Sequence, residues 1–241
     1  MRGLPASICL LMLIACGHGA LAAGGGHGTL QEANVSLWSK SSLQRGARTF
    51  VNYCLSCHSA QYMRYGRMAE DLGLSERLVK ENMMFATDKI LDPMKVAMRP
   101  EDSEVWFGAA PPDLSVTARS RGADWIYSFL LSFYADESRP TGVNNLVYPA
   151  TAMPHVLWEL QGIQENVTDE EGHSHLELSQ PGKLSAEEYE AVIRDLTAFL
   201  VYVGEPAKLV RYRMGFWVLG FLLILFFAAF MMKREYWKDI H

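Results

Sequence analysis

"NYCLSCHSAQ", residues 52–61, holds Cys54 and Cys57 three positions apart with His58 directly after the second cysteine. Three chemistries use such a spacing: a zinc clip, a redox dithiol, and the covalent attachment of a c-type haem. Each predicts a different protein, and the remaining sequence decides among them.

A structural zinc site needs four ligands, usually with a second closely spaced pair. Cys9 and Cys16 fall in an apolar N-terminal run, and the other close pair, His173 and His175, sits in the acidic stretch TDEEGHSHLEL (168–178), which reads as a solvated loop. A redox dithiol wants its first cysteine at a helix N-terminus after a strand, where the helix dipole lowers the thiol pKa. Here SLQRGARTFVNY (42–53) itself reads as helix, with Leu43, Ala47, Phe50 and Cys54 on one face. The cysteines therefore follow a helix instead of opening one. Haem attachment remains. Two thiols add across the two vinyl groups of one porphyrin, and His58 then reaches the iron from the same side. One such motif implies one haem c.

Both termini read as membrane elements. Met1-Arg2-Gly3 precedes the apolar run Ser7–Ala15, and Ala20-Leu21-Ala22 offers an A-x-A site, so 1–22 is expected to be a signal peptide. Leu13-Ile14-Ala15 before Cys16 also resembles a lipobox, which leaves lipoprotein processing there as the alternative. Near the other end, Met214–Met232 carries no charge and is flanked by Arg211, Arg213, Lys233, Arg234 and Lys238. Such a helix is roughly 29 Å long, about the thickness of the hydrocarbon core. The expected organisation is an exported domain over 23–206, a juxtamembrane segment and anchor over 207–232, and a cytoplasmic tail over 233–241. The domain would then face the periplasm from a single-pass site in the inner membrane. A chain of 241 residues, 49% hydrophobic and with net charge −5, suits one globular domain with an added membrane element, and it has no basic nucleic-acid footprint.

A low-spin electron carrier needs a second axial ligand from elsewhere in the chain. Met63 and Met68 are close in sequence to His58, Met83 and Met84 read as helix core, and Met214, Met231 and Met232 belong to the span. Met94 and Met98 (DPMKVAMRP, 92–100) and Met153 (TAMPHVLWEL, 151–160) remain, with His155 as a rival that would give a bis-histidine haem. An open sixth position would instead suit a peroxidase or gas sensor.

GAAPPDLSVTARSRG (108–122), with CLSCH upstream and TAMPHVLWELQG (151–162) downstream, resembles the cytochrome c1 family, the haem subunit of the cytochrome bc1 (quinol–cytochrome c reductase) complex. The resemblance implies a mainly α-helical, class I cytochrome c-like haem domain with insertions, plus one C-terminal transmembrane helix. It also makes Met153 the sixth ligand. The implied activity is one-electron transfer from the Rieske iron–sulfur protein to a soluble cytochrome c, with cytochrome b handling the quinol in a dimeric complex. The chain would be an electron-transfer subunit and no enzyme alone. An anchored cytochrome of a terminal oxidase or another periplasmic chain is the alternative.

Within that run, Pro111-Pro112 forms a stiff wall suited to a ring edge, and Asp113 and Ser115 are placed to cap a helix starting at Val116. Arg119 and Arg121 are candidates for holding haem propionates. Residues 60–105 and 160–182 exceed a minimal one-haem domain and read as insertions. Ser185–Val203 opens with a Ser-x-x-Glu capping box, and its stripe of Tyr189, Val192, Ile193, Leu196, Phe199 and Leu200 is expected to meet Phe50 and Tyr53. The acidic residues Glu165, Asp169, Glu170, Glu171 and Glu177 match no family motif, although they would steer a basic partner.

Overall fold

The Ser39 hydroxyl accepts the Ser42 N–H at 3.3 Å and starts helix α1, Lys40–Thr49. Its apolar face continues without a break into a π-helical turn, Phe50–Cys54, where the Leu55 N–H reaches back to the Phe50 carbonyl at 2.9 Å. The computed structural model describes residues 30–169 and 174–240. The signal-peptide reading, Cys9, Cys16, Glu170, Glu171 and His173 lie outside them.

After the turn come β1 (Ala60–Arg64), α2 (Tyr65–Leu72), α3 (Glu76–Asn82), β2 (Pro93–Met94) and α4 (Pro100–Phe107). Next are α5 (Thr117–Arg121), α6 (Ala123–Leu131), β3 (Phe133–Ala135) and β4 (Val143–Asn145). The short α7 (Trp158–Gln161) leads into β5 (Gly162–Thr168) and β6 (Ser174–Pro181), and α8 (Ala186–Gly204) and α9 (Lys208–Tyr236) close the order. The strands pair only as three two-stranded antiparallel units, so the architecture among the described residues is helical.

The core is organised by the crossing of α1 and α8. The expected capping box is present at Ser185 and Glu188, and it fixes where α8 begins. Phe50 and Phe199, both fully buried, meet with ring centroids 5.5 Å apart. Gly46 permits this approach: a Cβ there would fall inside the shell of the Asp195 carbonyl oxygen and 2.7 Å from Phe199 Cβ. At the rim of the crossing, Asp195 accepts from Ser42 Oγ and Arg45 Nε, each at 2.5 Å. Tyr189 Oη donates to the Leu130 carbonyl at 3.0 Å and ties α6 to α8, while Tyr202 Oη donates to Asp71 at 2.7 Å and ties in α2.

Two expectations about the insertions change. The described part of the acidic stretch lies mostly in two paired strands, not a loop: β5 and β6 pair with Glu165 opposite Glu177 and Val167 opposite His175. Gln164 anchors the hairpin by donating to the Leu131 and Phe133 carbonyls at 3.0 and 2.8 Å. Met83 caps α3 and Met84 follows it, so both are buried at the end of that helix instead of inside it.

Helix α9 has 29 residues and is the one helix among the described residues that is long and apolar enough to cross a membrane. It begins before the uncharged run and continues into the expected tail, so Arg211, Arg213, Lys233 and Arg234 lie on the same helix as the span, while Lys238 opens a separate 3-10 turn after it.

Candidate functional site

Cys54 ends the π-turn, and its carbonyl accepts the N–H groups of both Cys57 (3.0 Å) and His58 (2.8 Å). That tight turn sets two free thiols and an imidazole on one short loop. His58 Nδ1 stands 2.7 Å from the Pro112 carbonyl oxygen. A carbonyl can only accept, so Nδ1 carries the proton and Nε2 keeps a lone pair able to bind a metal. Pairing the second ring nitrogen in this way orients a ligating histidine and raises its basicity.

Residues 112–115 run beside 58–62 and satisfy a backbone that has no sheet partner on that side. The Leu114 N–H donates to the Ser59 carbonyl at 2.8 Å, the Gln61 N–H to Asp113 Oδ2 at 3.0 Å, and the Tyr62 N–H to Ser115 Oγ at 3.0 Å. Asp113 Oδ1 also accepts the Ser115 N–H at 2.8 Å. This corrects the expected capping role. The N-cap of α5 is Val116, with no side-chain bond, because Asp113 and Ser115 are occupied in clamping the histidine loop.

The electrostatics match a neutral donor set. Burial pushes the Cys54 thiol up to about 12, with neighbouring Cys57 adding to the shift. A dithiol redox site needs the opposite, a thiol whose pKa is lowered. Burial also holds His58 below its ordinary value, partly countered by the Pro112 carbonyl and Asp113. An uncharged imidazole is the form that binds metal.

Met153 comes from a different element, the loop between β4 and α7, where its N–H donates to Thr151 Oγ1 at 3.3 Å. It is half-buried and packs against the core cluster. Among its rivals, Met94 is wholly buried in β2 opposite Ala60, and Met98 is half-buried. His155 is buried with its ring stacked on Phe133, centroids 5.0 Å apart and planes 5° from parallel. Burial draws its pKa down to about 4, against smaller opposing effects of the Gly162 backbone and the Gln161 side chain.

The structure thus joins Cys54, Cys57, His58 and Pro112 directly. Arg119 and Arg121 follow on α5, both exposed. The Arg121 guanidinium lies 5.1 Å over the Trp125 ring, while the Arg119 stem passes close to Gly204. Trp125 in turn stacks on Phe129 at 5.1 Å and meets Tyr148 edge-on at 6.3 Å. Sequence reasoning missed this aromatic wall. Its available trace was the i, i+4 spacing of Trp125 and Phe129 just after the arginines.

These residues are of the kinds that fit a haem c: two thiols could attach it, and a histidine with its Nδ1 already paired and a neutral thioether on a separate loop could ligate it. No group of three or more His, Cys, Asp or Glu side chains able to hold a bare metal ion occurs among the described residues.

Comparison with known proteins agrees. The Cytochrome C1 family profile matches residues 31–240. The chain is 48% identical over 229 residues to cytochrome c1 of Allochromatium vinosum, covering 92% of this chain and 94% of that protein. It is 45% identical over 212 residues to a Nitrosomonas europaea protein named ammonia monooxygenase gamma subunit, covering 88% and 89% of the two chains. Mitochondrial cytochrome c1 heme protein of Neurospora crassa is 29% identical over 239 residues, covering 86% and 65%.

Proposed function

The chain belongs to the cytochrome c1 family, and from that membership we propose that it accepts single electrons from the Rieske iron–sulfur protein and passes them to a soluble cytochrome c. Proteins of this family carry a covalently bound haem c and serve as the electron-transfer subunit of the bc1 complex, beside cytochrome b and the Rieske protein. One helix, here α9, anchors them to the membrane.

The haem supplies a reversible one-electron ferric/ferrous couple. In our reading Cys54 and Cys57 form the thioethers, while His58 Nε2 and the Met153 sulfur are the axial ligands. The observation that carries this reading is the 2.7 Å contact between His58 Nδ1 and Pro112 O, because it prepares Nε2 of the C-x-x-C-H histidine as a ligand. Met153 contributes a soft, neutral thioether that favours ferrous iron and raises the potential, as an acceptor fed by a high-potential iron–sulfur centre requires. Trp125 and Phe129 exclude water from the pocket, and Arg121 or Arg119 holds a propionate by paired hydrogen bonds. The chain makes and breaks no substrate bonds itself. It works in a dimeric complex in the inner membrane, with residues 23–206 on the periplasmic side after loss of 1–22.

The 45% identity to a protein named for ammonia monooxygenase keeps a second assembly in view. Purification in mild detergent decides between them. Copurification with cytochrome b and a Rieske protein is expected, with haem staining at this chain's mass on a denaturing gel. Staining should vanish when Cys54 and Cys57 are both replaced by Ala. Copurification with a monooxygenase or a terminal oxidase instead would overturn the partner assignment.

A further inference from the structure

Three positions before Met153, Ala150 has a φ of +61°. A left-handed backbone is disfavoured at a residue with a side chain, and it persists where its surroundings over-determine it. Here both peptide groups of Ala150 are held by side chains of the β3–β4 hairpin. Its N–H donates to Asn144 Oδ1 at 2.8 Å, and its carbonyl accepts from Arg139 Nη2 at 3.1 Å. Both holding groups are themselves fixed. Asn144 Nδ2 donates to Asp136 Oδ2 at 2.9 Å and Asn144 Oδ1 also accepts the Asn145 N–H at 2.9 Å, so one orientation of the amide satisfies all three bonds. Arg139 sits in the turn of the hairpin, where its N–H donates to the Asp136 carbonyl at 3.1 Å and its carbonyl accepts the Gly142 N–H at 2.9 Å. The wholly buried Asn145 fixes the first half of the chain leaving β4: its Oδ1 accepts the Val147 and Tyr148 N–H groups at 2.9 and 3.0 Å, and its Nδ2 donates to the Phe129 carbonyl at 2.7 Å. Beyond Ala150 the chain passes through buried Thr151, whose Oγ1 accepts the Met153 N–H.

We propose that Asn144 and Arg139 are positioning residues for the sixth haem ligand: gripping Ala150 by its N–H and its carbonyl, they hold the left-handed turn that sets the path of the chain into Met153. This rests on the reading of Met153 as the axial ligand. Released from either side chain, Ala150 relaxes toward an ordinary conformation, the chain between Pro149 and Thr151 takes another course, and the thioether leaves its place. The β3–β4 hairpin touches the haem ligand through no atom of its own in this scheme. It acts through one strained residue, and the bonds it makes to that residue limit how often the sulfur departs from the iron.

The test uses the intact, haem-loaded, membrane-anchored protein and two readouts. Carbon monoxide binding to the ferrous haem reports departure of the sixth ligand, which a loss of stability elsewhere in the fold leaves alone. Amide hydrogen exchange over 147–153 reports release of the turn. Asn144→Ala should raise both by roughly five-fold, the scale of one net hydrogen bond. Two further changes should reverse that rise. Asn144→Asp combined with Asp136→Asn exchanges amide and carboxylate, keeps an acceptor for the Ala150 N–H, and should stay within about two-fold of the parent. Ala150→Gly added to Asn144→Ala relieves the left-handed strain without restoring the bond, and should recover most of the loss. Arg139→Leu frees the Ala150 carbonyl while the backbone bonds of the hairpin turn remain. It should raise both readouts by roughly two- to five-fold, and it decides the matter if Asn144→Ala does not load haem. Unchanged readouts in either single variant, an exchanged pair no better than Asn144→Ala, or a rise that Ala150→Gly does not reduce would overturn the grip. Met153→Leu separates the two ideas. If it leaves the iron closed to carbon monoxide, the ligand reading fails, while the exchange data still decide the grip.

Discussion

Gly46→Ala tests the packing that places the haem turn. The added methyl would meet the carbonyl oxygen and carbon of Asp195 and Phe199 Cβ, all closer than van der Waals contact allows. Two of these are backbone atoms in mid-helix, where the carbonyl cannot turn aside without breaking its own helical bond. α1 and α8 must therefore part, and the 5.5 Å Phe50–Phe199 contact opens with them. Overpacking of this kind costs roughly 1–3 kcal/mol, and parting the helices also strains the Ser42 and Arg45 bonds to Asp195. The better helix propensity of Ala returns about 1 kcal/mol. A net loss of about 1 kcal/mol in a domain of this size lowers the melting temperature by roughly 2–4 °C. Gly204→Ala is the control, because its new methyl meets the Arg119 stem at 3.2 Å, and that flexible side chain can move. Melting is followed by far-ultraviolet circular dichroism of the haem-loaded protein, with haem still attached since Cys54–His58 are untouched. If Gly46→Ala melts with the parent while Gly204→Ala does not, the crossing is not what limits stability.

At the domain–anchor junction, Arg211 Nε lies 2.7 Å from Glu205 Oε1 and holds that carboxyl below its ordinary value. A depressed carboxylate stabilises the fold above its unfolded pKa and loses that contribution as pH falls through its lowered folded value. The gap in melting temperature between the parent and Glu205→Gln should therefore be constant above about pH 5 and close on acidification; a gap that widens in acid refutes the assignment. On the hairpin, Glu165 faces Glu177 across the strands. Neutralising Glu165, Asp169 and Glu177 together should flatten the ionic-strength dependence of electron transfer to a basic cytochrome c between roughly 0.05 and 0.2 M salt. A parent rate indifferent to salt would remove the steering role.

The sequence was most legible where one physical rule acted alone. The 19-residue uncharged run and the Ser185–Glu188 box each have a single reading, and the structure bears out the α1–α8 crossing that the apolar stripes implied. It was least legible where two roles compete for the same residue types. Asp113 and Ser115 suit helix capping by composition, yet they are drawn to the N–H groups of Gln61 and Tyr62, fifty residues away in sequence. Glu165 and Glu177 look like loop residues by charge, yet they face each other across paired strands. The helix–helix contact through Gly46 and the stack of Arg121 on Trp125 depend on tertiary approach, which no local pattern encodes.

The central claim is a haem held by Cys54 and Cys57 with His58 and Met153 as its axial ligands, and Met153→Leu tests it most directly. His58 and both thioethers are untouched, so the haem should stay covalently attached on a denaturing gel. Loss of the thioether should abolish the near-infrared sulfur-to-iron band, lower the midpoint potential sharply and open the ferrous iron to carbon monoxide. If Met153→Leu keeps its band and its potential while Met94→Leu or Met98→Leu loses them, the ligand assignment is wrong.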